Sequence, residues 1–137
     1  MQQCYMLDTN TVSYLIKGTE PAILGHLKAV PMASVCVSSI TEAELLHGVA
    51  KKPEAKRLSV IVNEFLLRVE ILPWDSNVAQ AYAVLRAACE AKGRSLGIMD
   101  MLIAAHAYAV DATLITNDKG FNNIAGDLMV EDWTISR

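Results

Sequence analysis

Cys4-Tyr5-Met6-Leu7-Asp8-Thr9-Asn10 is the stretch on which the fold turns. Four residues of nearly unbroken apolar character read as a short central strand of a parallel sheet. Asp8, Thr9 and Asn10 then carry turn and N-cap chemistry, so a helix is expected from about Thr11 to Lys17, with Gly18 ending it. The same sentence is written again near the other end of the chain. Leu114-Ile115-Thr116-Asn117-Asp118 is a buried strand closing on a carboxylate.

Working outward from these two, strand and helix alternate. Glu20 to Ala29 reads as a helix with Pro21 in its first turn. Val35 to Ser38 is a β-branched strand, after which Ser39 or Thr41 caps a helix to about Ala50. Pro53 opens a further helix with the stripe Leu58, Ile61, Val62 and Phe65. Val69 to Leu72 is a strand, and Asp75 or Ser76 caps a helix with the stripe Val78, Tyr82, Leu85 and Cys89, ended by Lys92-Gly93. Met101 to Val110 is apolar on all sides, as an interior helix would be. Thr113 to Thr116 and the neighbourhood of Val130 supply the last strands. The alternation predicts an α/β/α sandwich around a central, mostly parallel sheet, one domain over residues 1–137. Ligands of such sheets bind beyond the carboxyl ends of the strands, where Asp8 and Asp118 fall.

Hydrophobic residues make up 53% of the 137, mean hydropathy is +0.28 and net charge is −3. That composition excludes disorder and points to an apolar interior plus a greasy partner surface. Cys4, Cys36 and Cys89 are odd in number and widely spaced, which excludes a disulfide framework or zinc knuckle and leaves buried reduced thiols. Met1-Gln2-Gln3 lacks the basic and apolar regions of a secretory signal, and no apolar run is long enough for a bilayer. The expected location is the cytoplasm, with no membrane partner.

Two more carboxylates belong to the pattern. Asp100 opens the Met101–Val110 helix, where the positive end of the dipole favours an anion. Glu42 and Glu44 point about 200° apart on one helix, so only one faces a shared pocket. Glu44 borders the apolar stripe of Ile40, Ala43, Leu46 and Ala50, whereas Glu42 falls in solvent. Taken singly, Asp8, Asp100 and Asp118 are ordinary caps or turn residues. Taken with Glu44, they make an oxygen-ligand pocket suited to a hard divalent cation, because two carboxylates about 4 Å apart repel by ~4 kcal/mol at an effective dielectric of 20. Thr9, Asn10, Thr116 and Asn117 are placed to orient water or a phosphate. Setting four carboxylates aside leaves the remaining surface near about +1. The basic groupings, Lys51, Lys52, Lys56 and Arg57 with Lys92 and Arg94, ordinarily form solvated helix faces. His26 and His106 read as hydrogen-bonded structural residues, and Trp74 and Trp133 as packing.

The segments Met6 to Asn10, Ser38 to Gly48, Gly97 to Ala107 and Leu114 to Asp118 with Phe121 resemble the PIN-domain ribonucleases, most closely the VapC-type toxins of toxin–antitoxin pairs. The resemblance spans essentially the whole chain. It implies a PIN-like sandwich and endonucleolytic cleavage of structured RNA (tRNA or ribosomal RNA) by water, with Mg²⁺, or Mn²⁺ as substitute. By position, Asp8, Glu44, Asp100 and Asp118 correspond to the acidic catalytic residues, and Asp8, Asp100 and Asp118 are expected to hold metal. Thr9, Asn10 and Thr116 are expected to support them, and Arg86, Lys92 and Arg94 are the candidate RNA contacts. Implied partners are a second copy of the chain and a VapB-type antitoxin, in a higher hetero-oligomer that reaches operator DNA only through the antitoxin. The competing reading is a non-catalytic module whose acidic pocket docks a basic partner segment.

Overall fold

The computed structural model describes residues 4–124 and 127–136; the Met1–Gln3 stretch read above lies outside them. Five strands, β1 (Tyr5–Leu7), β2 (Val35–Ser38), β3 (Glu70–Leu72), β4 (Thr113–Ile115) and β5 (Met129–Glu131), form one sheet in the order β3-β2-β1-β4-β5. Every pairing is parallel, so the expected "mostly parallel" sheet is wholly so among the described strands. Parallel neighbours need long crossovers, and the helices supply them. These are α1 (Thr9–Lys17), α2 (Pro21–Lys28), α3 (Ser39–Ala50), α4 (Lys56–Arg68), α5 (Ser76–Ala91) and α6 (Ile98–Ala109).

The two-residue period of the strands sorts the core into two halves. Met6, Cys36 and Leu114 face α5 and α6 through Leu85, Cys89, Ala104 and Ala107. Leu7, Val35, Val37 and Ile115 face the other layer through Val12, Ile23, Leu45, Val62 and Trp133. Both sheet faces are therefore covered, which is why the strands read as continuous apolar runs. The thiols are free, with Cys36 and Cys89 buried and Cys4 half-buried. Cys4 Sγ and Cys36 Sγ lie 2.7 Å apart.

Local chemistry fixes the element ends and corrects several of the expected boundaries. Asp8 caps α1 one residue from the strand, accepting from Thr11 N–H, so the helix begins at Thr9 and not at Thr11. Ser38, not Ser39 or Thr41, caps α3 by accepting from Ile40 N–H. Pro53 does not start α4: Ala55 N–H bonds the Lys52 carbonyl in a tight turn, and the helical ladder begins only with Ser59 N–H on the Ala55 carbonyl. Asp75 caps α5 as expected. Helix α6 begins at Ile98, so Asp100 sits inside its first turn and caps nothing. Its Met101 and Ile103–Ala107 are buried, but Tyr108 and the C-cap residue Val110 are exposed, so the stretch expected to be apolar on all sides is interior only up to Ala107. No helix among the described residues is long and apolar enough to cross a membrane.

Candidate active site

The chain leaves β1 to build β2 and β3 on one side, then returns to lay β4 against the other side of β1. Such a reversal opens a crevice at the carboxyl ends of the two central strands. Asp8 follows β1 there, and Thr116 to Asp118 follow β4, joined by the Asp8 N–H bond to the Ile115 carbonyl at 3.0 Å. Crossover helices start at this same end, which brings in α3 with Glu44 and the first turn of α6 with Asp100.

Asp8 is the most enclosed of the four acids, 2% exposed. Burial pushes its carboxyl above the usual range; hydrogen bonds from the Thr116 hydroxyl and from Thr11 pull the other way, and the Asp118 charge adds a smaller upward push. Asp100 is half-buried, and its carboxyl is also raised, first by burial and then by the charges of Asp118, Asp8 and Glu44. All three other acids thus act on Asp100, while Glu42 is not among the charges that do. The face expected to be buried is corrected: Thr41 and Leu45 turn inward, Ala43, Leu46 and Ala50 are exposed, and Glu42 is half-buried like Glu44, because α3 packs on the sheet through Leu45.

Three of the four carboxylates are nevertheless tied to donors of their own. Asp8 Oδ1 accepts from Thr11 N–H at 2.8 Å, Asp118 Oδ1 from Gly120 N–H at 2.9 Å, and Glu44 Oε1 from the Thr9 hydroxyl at 2.6 Å. Among the described residues no three His, Cys, Asp or Glu side chains are gathered closely enough to hold a metal ion. Asp8, Glu44 and Asp118 act electrostatically on Asp100 without the acids gathering at a common point. As a donor set, all-oxygen and three-quarters aspartate, they suit a hard divalent cation.

Thr9 and Thr116 each hydrogen-bond one of the acids, Glu44 and Asp8 respectively. Thr116 is buried, reaches Asp8 and accepts from Asp118 N–H at 3.1 Å. Asn10 is exposed on α1. Sequence reading missed two hydroxyls. Thr11 Oγ1 donates to the Ile115 carbonyl, locking α1 to β4, and Thr41 Oγ1 lies 3.1 Å from Thr9 Oγ1 beneath Glu44. Thr11, three residues after an Asp cap, and Thr41, one turn before Glu44, carried that signal in their spacing. Of the basic candidates, Arg86 is drawn to Glu90 and the Tyr82 hydroxyl on its own helix, and Lys92 terminates α5. Arg94 lines a small cavity with Leu96 and Ile98 at the foot of α6.

The sequence model of the PIN domain matches residues 5–127. The chain belongs to the PIN-domain family. Within it, this PIN domain groups with the VapC-type proteins. It is 37% identical to "Ribonuclease VapC2" of Rickettsia felis, covering 94% of this chain and 97% of that protein. To the "tRNA(fMet)-specific endonuclease VapC" of Shigella flexneri it is 31% identical, covering 95% and 98%. Among solved structures, the DNA-bound VapBC complex of Salmonella typhimurium superposes with a TM-score of 0.89 at 33% identity, covering 96% of this chain and 99% of that one. The sandwich of this PIN domain is thus shared at close geometric agreement with its relatives.

Proposed function

We propose that this PIN domain is an endoribonuclease, the toxin of a toxin–antitoxin pair, which hydrolyses structured RNA such as tRNA or ribosomal RNA in the cytoplasm. The observation that carries the reading is the raised Asp100 carboxyl, on which Asp118, Asp8 and Glu44 all act from separate elements. Four acids from distant parts of the chain that act on one another are costly unless a cation joins them. The nuclease names of full-length relatives above 30% identity support the same conclusion.

Asp8, Asp100 and Asp118 would hold Mg²⁺, with Mn²⁺ as substitute. When bound, the ion supplies positive charge to the phosphoryl group and makes the attacking water more acidic. The protein does the rest. Thr9 fixes Oε1 of Glu44, which leaves Oε2 to orient the attacking water and accept its proton. Thr116 and the Thr11 N–H hold the buried Asp8 carboxylate in one orientation. Leu7 and Ile115, the residues before Asp8 and Thr116, are fully buried, so bulk water is excluded from the strand ends that carry them.

Structures of VapBC relatives bound to DNA support a VapB-type partner for this chain; a homodimer within a larger hetero-oligomer, and operator contact through the antitoxin alone, are part of the same proposal. The deciding experiment incubates purified protein with total RNA in Mg²⁺, with and without chelator, beside Asp100→Asn. Cleavage confined to the metal-containing wild type is expected. Equal cleavage by Asp100→Asn would refute the mechanism, and absence of any Mn²⁺ binding heat would favour a docking pocket instead.

A further inference from the structure

Glu44 and His47 on α3 and Lys51 at its C-cap, still in right-handed helical conformation, follow one another at three- and four-residue steps, so they stack on one face of the helix. That face borders open space. With Thr9 and Met99 opposite, Glu44, His47, Gly48 and Lys51 line a cavity of about 530 Å³. Gly48 leaves the middle of it bare, since a Cβ there would meet nothing within 4 Å. A second cavity of about 270 Å³ shares Thr9, Glu44, Gly48 and Lys51 with the first and adds Lys17 and Lys52. The joined hollow is thus acidic at one end and cationic at the other. Among the described residues the side-chain ion pairs are Arg68–Glu64 and Arg86–Glu90, so Lys17, Lys51 and Lys52 are not neutralised by a neighbouring acid. A lysine at a helix C-terminus complements the dipole. That benefit does not require a hollow connecting it to the catalytic carboxylates.

The geometry points to a phosphate subsite formed by Lys51 and His47, which receives a backbone phosphate of the RNA flanking the one that is cleaved. The inference rests on the ribonuclease reading. Seven residues of helix set Lys51 about 10 Å from Glu44 along the axis, beyond the scissile phosphate and within reach of a neighbouring one. The ammonium binds phosphate as a point charge, and the imidazole offers a ring N–H from the turn between. A cationic wall at this distance also offsets the repulsion a polyanion meets on approaching four carboxylates. Arg86 is spent on Glu90 and Tyr82, so the α3 wall is the better-placed cation.

Binding and cleavage are measured separately. A fluorescein-labelled RNA hairpin is titrated by anisotropy, across a salt series, against Asp100→Asn protein carrying no further change, Lys51→Gln, or Lys28→Gln as a remote control. Lys51→Gln is expected to weaken binding several-fold and to lower the slope of log affinity against log salt by about 0.7, the value for one phosphate contact on a single strand. Lys28→Gln leaves the slope unchanged. In cleavage-competent protein, Lys51→Gln raises KM with kcat nearly constant, and Lys51→Arg restores KM. An unaltered salt slope and KM in Lys51→Gln would overturn the subsite. Failure of wild type to cleave RNA in Mg²⁺ would instead refute the ribonuclease reading, and the binding assay, needing no turnover, keeps the two results apart.

Discussion

The Thr9 hydroxyl donates to Glu44 Oε1 at 2.6 Å, so the first residue of α1 steers a carboxylate 35 residues further along the chain. A hydrogen bond to a charged group contributes roughly 1.5–3 kcal/mol, enough to decide which rotamer Glu44 occupies. It couples the helix after β1 to the helix after β2.

Removing that hydroxyl tests the coupling. Thr9→Val is expected to lower kcat for RNA cleavage roughly tenfold, about 1.4 kcal/mol of barrier, while KM barely moves. Thr9→Ser should retain most activity. If Thr9→Val cleaves at the wild-type rate, Glu44 needs no steering from α1.

Burial and like charge raise both Asp8 and Asp100, so in the metal-free protein their ionisation opposes folding. A carboxyl raised in the folded state contributes stability below its ordinary value near about 3.9, and that contribution is lost as pH rises through the folded value. At neutral pH the ionised groups are therefore a cost. Asp8→Asn, which still caps α1, and Asp100→Asn should each raise the melting temperature of metal-free protein by a few degrees. Mn²⁺ should raise the wild-type melting temperature and leave the variants nearly unmoved. Thermal unfolding with and without Mn²⁺ reads both effects, and stabilisation of Asp100→Asn by the ion would contradict the ligand assignment.

His106 supplies an opposite pH effect from inside the fold. Its ring is fully buried, Nδ1 lies 2.7 Å from Ser38 Oγ, and Nε2 has no hydrogen-bond partner among the described residues. Burial lowers its pKa, only partly opposed by the Asp75 charge. The neutral ring is favoured in the folded state, so its stability is intact above the unfolded value near about 6.5 and drains away as pH falls below that. Urea midpoints should decline between about pH 6.5 and 5 in wild type. His106→Asn should be weaker at pH 7.5 by about 1–2 kcal/mol but show a flatter decline. Identical slopes for the two proteins would absolve His106.

Gly18 ends α1 with φ of +69°, a left-handed conformation with no atom near where a Cβ would project. Gly18→Ala therefore meets backbone strain and no clash. A loss of about 1 kcal/mol is expected in chemical unfolding, without change in cleavage rate.

The legible parts of this chain are those governed by neighbours in sequence. Val35–Ser38 was recoverable to the residue because a β-branched run met a run of capping hydroxyls, and Asp75 and Gly93 mark the ends of α5 in the same local language. Where several residues could do one job, sequence was mute: Ser38, Ser39 and Thr41 can all cap α3, and only the packed position of Ser38 beside His106 selects among them. The start of α4 failed for a related reason, since Pro53 suits a turn as well as a first helical position. The four acids were visible as strand-end and helix-start residues, but their spacing within the pocket was not. The Thr11 and Gly120 bonds to Asp8 and Asp118 are local cap and turn contacts, but the Thr9 bond to Glu44 spans 35 residues and no linear pattern encodes it. Nor did the row from Glu44 to Lys51 stand out before the cavity beside it was seen.

The hydroxyl of Thr11 is fastened to the Ile115 carbonyl, its partner in sequence standing 104 positions away. A ribosome makes Asp8 long before Asp118, and parallel pairing of β1 with β4 cannot precede the emergence of both. A nascent chain is consequently without half its acid set until α6 and β4 have followed. Chemistry in this molecule is withheld by topology until the second strand that neighbours β1 has been delivered.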